Sequence, residues 1–151
     1  MKIKNVVNPD VITINQNATY KEATFILYNN KIRGAPVVDD DGKLVGMLSE
    51  KDLFKVLFPY ETSFFSNPEM YLDFEVRENK IDEIKDSKIS NYMSRKLVTV
   101  DPEMPVLKAG GLMLARGVHR LPVIENGKLI GIVSRQDIFG RILKNHLQLE
   151  E

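Results

Sequence analysis

Cysteine is absent from all 151 residues, which removes disulfides, thiolate zinc sites and cysteine nucleophiles in one step. Histidine occurs only twice, at His119 and His146, too few ligands for a transition-metal site when no thiolate can help. Charge of one sign is not in excess either. The 21 lysines and arginines are matched by 21 aspartates and glutamates, so no global field draws the chain to nucleic acid or to an anionic membrane, and any anion site must be local. No window approaches the roughly 18–20 apolar residues of a membrane span, and the opening Met1-Lys2-Ile3-Lys4-Asn5-Val6-Val7-Asn8-Pro9 never builds the apolar stretch of a secretory signal. Cytoplasm is the expected location. What the chain does have is an ordinary globular mixture, 43% hydrophobic and 28% charged, able to bury a core as a whole although each half alone would be marginal.

The main positive feature is a duplication. Val11-Ile12-Thr13-Ile14 aligns with Leu97-Val98-Thr99-Val100 at one offset (99 − 13 = 86), which also pairs Ala23 with Ala109 and Pro36-Val37 with Pro122-Val123. One residue is lost in the second copy's turn, and the offset becomes 85 (131 − 46 = 85). Gly42-Lys43-Leu44 then falls on Gly127-Lys128-Leu129, Gly46 on Gly131, Ser49 on Ser134, Asp52 on Asp137 and Phe54 on Phe139. A single gap, placed in a turn, is what duplicated structure predicts.

Each copy reads as strand, helix, strand, turn, strand, helix. Val11–Ile14 and Leu97–Val100 are β-branched runs between turn formers, the pattern of strands. Apolar residues at Ala23, Ile26 and Leu27 predict a helix over Tyr20–Asn30, and Leu107–Ala115 repeats the spacing. Gly34–Val38 and Arg120–Ile124 read as strands opened by a proline. Asp40-Asp41-Gly42 and Asn126-Gly127 are hairpin signals leading into Leu44–Leu48 and Leu129–Val133. Gly46 and Gly131 interrupt those strands where a backbone or a ligand comes close. Final helices begin at Ser49 and Ser134, with Leu53, Phe54 and Leu57, or Ile138, Phe139 and Ile142, forming an apolar face.

Residues 1–58 thus form one repeat and 89–146 another, with an unmatched connector over 59–88. The connector holds Tyr60, Phe64, Phe65, Tyr71 and Phe74, then a charged run to Lys88. It reads as a connecting helix or ordered loop, or as a lid or partner surface.

Catalysis finds little to stand on. A hydrolase or transferase needs a nucleophile beside a base, or paired carboxylates of divergent pKa. Ser49 and Ser134 have no histidine that spacing puts beside them, and neither a P-loop nor a Gly-x-Gly-x-x-Gly follows any strand. The chain is expected not to be an enzyme and to require no cofactor.

Hydrophobic-Thr-hydrophobic, a helix, Pro-Val-hydrophobic, Gly-Lys-Leu and Gly-x-x-Ser-x-x-Asp-hydrophobic, in this order and twice over, resemble the cystathionine-β-synthase (CBS) repeat. The resemblance covers nearly everything outside the connector, including the lead-ins Ile3–Val7 and Ile89–Met93. It implies an α/β (mixed α+β) fold of two β-α-β-β-α units packed as a pseudo-two-fold pair, one module over residues 1–146. It implies two clefts for an adenosine-containing regulatory ligand such as AMP, ADP, ATP or S-adenosylmethionine. It also implies a homodimer and a regulatory role; with no effector domain beside the repeats, a sensor is expected to act in trans on a client protein.

The candidate ligand residues follow from both sources. Ser49 and Ser134 end a strand and open a helix, where free N–H groups and the dipole favour phosphate. Asp52 and Asp137 can accept hydrogen bonds from a ribose diol. Ser-x-x-acid is equally a helix-capping signature, so the residues by themselves support both readings. The resemblance further implies phosphate contacts from the basic residues ahead of the Pro-Val strands, Arg33 in copy one and His119 with Arg120 in copy two. It assigns adenine surroundings to Thr13 and Thr99 and to the backbones of Ala35-Pro36 and Leu121-Pro122. Solvated charge at a helix end and ordinary strand residues are the plainer accounts of these. Copy two adds Arg135 to the anion set, whereas copy one has Lys51 but puts Glu50 opposite Arg135. The second site is therefore expected to be the tighter one for a charged nucleotide.

Overall fold

The structure, a computed structural model, describes residues 1–58 and 77–149. These fall into two compact units, one of residues 13–40, 45–58 and 77–95, the other of residues 1–12, 41–44 and 96–149. We call them the first-repeat and second-repeat units. Both are mixed helix and strand with a small sheet.

In the first-repeat unit, β1 (Ile14–Asn15), β2 (Gly34–Val38) and β3 (Leu44–Ser49) form a sheet in that order. β1 runs parallel to β2 with Ile14 opposite Val37. Helix α1 (Tyr20–Asn29) connects them, started by Thr19, whose hydroxyl accepts the Glu22 N–H at 3.1 Å. After β3 come α2 (Glu50–Phe54) and a single 3-10 turn, Lys55–Leu57. The connector's aromatic cluster lies outside the described residues. Its end does not: α3 (Lys80–Ile84) buries Ile84 in this unit's core, and Arg77 Nε donates to Leu57 O at 3.1 Å.

The second-repeat unit contains α4 (Val106–Arg116), β4 (Arg120–Glu125), β5 (Lys128–Ser134) and α5 (Arg135–Leu147). β4 and β5 are antiparallel, with Leu121 opposite Val133. Asn126 and Gly127 both have positive φ, 51° and 77°, between the last pair Glu125–Lys128. That is the two-residue primed turn that Asn-Gly favours.

The two cores are copies. Ile14, Tyr20, Ala23, Leu27, Ala35, Val37, Leu48 and Leu53 in one correspond to Val100, Val106, Ala109, Met113, Leu121, Val123, Val133 and Ile138 in the other. One further pair is exchanged: Ile3 is buried in the second-repeat core, and Ile89 in the first. Each repeat's lead-in therefore completes the other repeat's unit. Ile3 N donates to Met104 O at 2.9 Å and Asn8 bridges Ile132, while Ile89 N donates to Ala18 O at 2.8 Å and Ser94 bridges Met47. Sequence repeats and packed units do not coincide.

Two expectations are corrected. The strands predicted at Val11–Ile14 and Leu97–Val100 shrink to β1 and to an isolated bridge between Val100 and Val123. The prolines explain it, because they stand third in β2 and β4 rather than first. Val100 N donates to Pro122 O and Val100 O accepts from Ile124 N; the next donor along this parallel ladder would be the N–H of residue 122, which proline lacks. The apolar face expected on the final helices also splits. Leu53 and Ile138 are buried, whereas Phe54 and Phe139 are 58% and 62% exposed.

Candidate functional site

The strand-to-helix corners of the two units share one design. Ser49 ends β3 and caps α2: its Oγ accepts the Asp52 N–H at 3.2 Å. Asp52 answers with one oxygen, Oδ2, which accepts from Ser49 N at 2.8 Å and Ser49 Oγ at 2.9 Å. Ser134 and Asp137 repeat the arrangement at the head of α5, with Asp137 N to Ser134 Oγ at 3.0 Å and Ser134 N to Asp137 Oδ2 at 2.9 Å. These are complete capping boxes. Aspartate serves as the reciprocal cap in both, although glutamate or glutamine is the usual residue, so the presence of both aspartates is accounted for without a ligand. The cap uses only Oδ2. Among the described residues Oδ1 of Asp52 and of Asp137 makes no hydrogen bond.

Around each corner the ladders gather the other candidates. In the first-repeat unit, Thr13 directly precedes the Ile14–Val37 pair. Ala35 and Pro36 are buried in β2. Arg33 O accepts from Glu50 N at 2.8 Å, drawing the entry to β2 against the start of α2; the side chains of Arg33 and Lys51 are exposed. In the second-repeat unit, Thr99 precedes Val100, Leu121 and Pro122 are buried in β4, and His119 is exposed. Arg120 is half-buried, opposite Ser134 in the ladder.

Arg135 departs from a simple anion ligand. Its N–H donates to His119 O at 2.9 Å, its Nε to Val118 O at 3.2 Å, and one terminal nitrogen reaches Met113 O at 3.5 Å. The guanidinium ties the end of α4 to the start of α5. Sequence reasoning missed this role, because the carbonyls it meets belong to residues with no motif of their own.

Gly46 and Gly131 are also resolved. A Cβ at Gly131 would overlap Val7 Cγ2 and come within 2.6 Å of Asn8 O, and one at Gly46 would stand 2.5 Å from Met93 Sδ and 2.9 Å from Ser94 O. Both glycines accommodate a lead-in backbone. Among the described residues there is no group of three or more histidines, cysteines or acids able to hold a metal, and no helix is long and apolar enough to cross a membrane.

The family model for the CBS domain matches residues 3–59 and again 89–144. The chain belongs to the CBS domain family, as a tandem pair. An uncharacterized protein of Methanocaldococcus jannaschii is 29% identical, over 95% of this chain and 92% of its own length. A CBS domain-containing protein of Dictyostelium discoideum is 31% identical over 94% and 91%. Among solved structures, CBSX2 of Arabidopsis thaliana has the same fold, with 24% identity, a TM-score of 0.75 and coverage of 95% of each chain. CBSX2 has also been solved in complex with AMP. The CBS domain pair of protein MJ0100, solved with 5′-methylthioadenosine and S-adenosyl-L-methionine, is 23% identical, with a TM-score of 0.69 over 96% of this chain and 97% of that one.

Proposed function

We propose that this CBS pair is a non-catalytic regulatory module that senses an adenosine-containing ligand (AMP, ADP, ATP or S-adenosylmethionine) at its Ser-x-x-Asp corners. It signals in trans, as a cytoplasmic homodimer, to a separate client protein. The observation that carries this reading is the half-used carboxylate, present in both repeats. Oδ2 of Asp52 and Asp137 closes the cap, which fixes the side-chain rotamer and leaves Oδ1 as a pre-oriented acceptor for ribose hydroxyls. Capping and ribose binding are therefore compatible roles of one group. The AMP, methylthioadenosine and S-adenosylmethionine complexes of the solved relatives support the ligand class.

In this reading Ala35-Pro36 and Leu121-Pro122 offer backbone to the adenine, beside Thr13 and Thr99. Arg33 and Lys51 serve phosphate in the first repeat, and His119 and Arg120, with Arg135 behind them, in the second. Glu50, in place of Arg135, repels phosphate, so the second repeat binds a charged nucleotide more tightly. Signalling follows only if the ligand has different affinities for two states of the protein.

The test is a thermal-shift screen against AMP, ADP, ATP, GTP, NAD and S-adenosylmethionine, followed by calorimetric titration of Asp52→Ala and Asp137→Ala. A ligand at about 100 times its Kd stabilises the fold by about 2.7 kcal/mol, several degrees in Tm. The expected result is a shift with adenosine ligands and a larger loss of affinity in Asp137→Ala than in Asp52→Ala. Asp→Asn at each position, which keeps an acceptor for the cap, separates capping from binding. Equal losses would refute the asymmetry. No shift with any ligand would refute the sensor and favour a dimerisation scaffold, in which the aspartates are caps alone.

A further inference from the structure

Three hydrogen bonds from one residue converge on the segment that carries His119. Arg135 N holds His119 O at 2.9 Å, Arg135 Nε holds Val118 O at 3.2 Å, and a terminal nitrogen approaches Met113 O at 3.5 Å. Met113 O is also the acceptor of Val118 N, at 3.0 Å, in the turn where Gly117 leaves α4 with φ 64°. The guanidinium therefore braces one carbonyl of the last turn of α4, Met113 O, and one of the loop, Val118 O, a use of its planar fork that no lysine reproduces.

The first repeat has the same turn without the brace. Ile32 N donates to Leu27 O at 3.0 Å, the equivalent of Val118 to Met113, and Glu50 N donates to Arg33 O at 2.8 Å. The residue standing where Arg135 would be is Glu50, an acceptor that can donate nothing to Leu27 O or Ile32 O. So Arg135 gives three bonds to the segment that leads to His119, the basic position of the second repeat, whereas among the described residues Glu50 gives the counterpart segment one, to Arg33 O.

We infer that Arg135 is a positioning residue: it pre-organises the loop 117–119 so that His119 meets an anionic ligand, and makes no phosphate contact itself. This inference rests on the sensor reading above and replaces a direct anion role for Arg135 with an indirect one. Its Nε and one terminal nitrogen are engaged with carbonyls, and swinging the group away to a phosphate would release the loop that presents the histidine. Pre-organisation raises affinity by removing an ordering cost from binding, so the advantage of the second repeat lies in stiffness as well as in charge.

The experiment has two arms on the full chain. In the first, hydrogen exchange compares the Val118 and Ile32 amides in wild type and Arg135→Ala. Loss of a charge-assisted brace should speed Val118 exchange about tenfold and leave Ile32 unchanged. In the second, calorimetry measures AMP and adenosine. Arg135→Ala and Arg135→Lys should both weaken AMP about tenfold and leave adenosine unaffected. Arg135→Ala should have no further effect in a His119→Ala background, the coupling expected of residues that act as one unit. Full AMP affinity in Arg135→Lys, or an undiminished loss in the His119→Ala background, would assign Arg135 a direct charge role and overturn the inference. Unchanged Val118 exchange in Arg135→Ala, in a protein that binds AMP, would overturn the positioning role and leave the sensor reading standing. Wild-type protein that binds neither ligand overturns the sensor reading and the positioning role with it.

Discussion

Replacing Gly131 by alanine should destabilise the protein more than replacing Gly46, although the two glycines are repeat equivalents. A Cβ at residue 131 would overlap Val7 Cγ2 and approach Asn8 O to 2.6 Å and Asn8 C to 3.2 Å. Two of those atoms are backbone, and they belong to the bridge in which Asn8 and Ile132 exchange hydrogen bonds of 3.0 Å each way. Making room means lifting the lead-in off β5. Losing both bonds costs about 1 kcal/mol each, and overpacking adds about 1–3 kcal/mol. Removing a strand glycine returns about 0.5–1 kcal/mol. The net expectation is a loss of roughly 2–4 kcal/mol. At Gly46 the nearest atoms are Met93 Sδ at 2.5 Å and Cε at 3.0 Å, the far end of a pliable side chain, with only Ser94 O, at 2.9 Å, from the backbone. Methionine gives way more readily than backbone, but Met93 is in the core and Ser94 O belongs to the equivalent Met47–Ser94 bridge, so Gly46→Ala should cost about 1–2 kcal/mol. Urea denaturation of both variants measures the difference as a shift in midpoint at constant slope. Adding Val7→Ala to Gly131→Ala should recover only part of the loss, since Asn8 O remains in the way. A Gly131→Ala protein as stable as Gly46→Ala would refute the argument that the lead-in backbone is what excludes a side chain.

Three further outcomes are expected. Tyr20→Phe removes a buried hydroxyl that donates to Leu53 O at 2.7 Å and should cost about 1 kcal/mol by denaturation. Burial, and secondarily Tyr92, raise the Tyr20 phenol above its ordinary 10.0; stability from this group is thus complete below pH 10 and is lost as pH rises through the folded value, and a spectroscopic titration in which all tyrosines ionise together would contradict it. Hydrogen bonds from Lys2 and then Lys4, at 2.6 and 2.9 Å, hold the Glu103 carboxyl at about 2 rather than 4.5. Its share of stability is present above pH 4.5 and lost as pH falls through about 2, and because the site is exposed, NMR titration in 1 M salt should find the value moved back towards normal. Light scattering should give a dimer mass that Phe54→Asp and Phe139→Asp together reduce to the monomer, because both rings stand exposed on the final helices; a concentration-independent monomer in the unaltered protein would refute the dimer.

Much of this molecule is legible in the chain because its signals are local. The helices over Tyr20–Asn29 and Val106–Arg116, the Asn126-Gly127 turn and the serine caps of α2 and α5 each depend on residues within a few positions of one another, and the duplication supplies a second reading of each. The family, too, follows from the order and spacing of short motifs. Other features required the folded chain. Pro36 and Pro122 shorten the first strand of each sheet only because of which ladder their missing N–H faces. Ile3 and Ile89 are as apolar as any core residue, yet nothing in their neighbourhoods says that each belongs to the other repeat's core. Gly46 and Gly131 announce a close approach without naming what approaches, and Arg135 reads as an anion ligand until Val118 and Met113 carbonyls are found in its fork. The sequence by itself determined the elements, their duplication and the chemistry of each corner. Tertiary structure decided which segments complete which unit and which charges are already engaged, since those depend on contacts between residues some 17 to more than 120 positions apart.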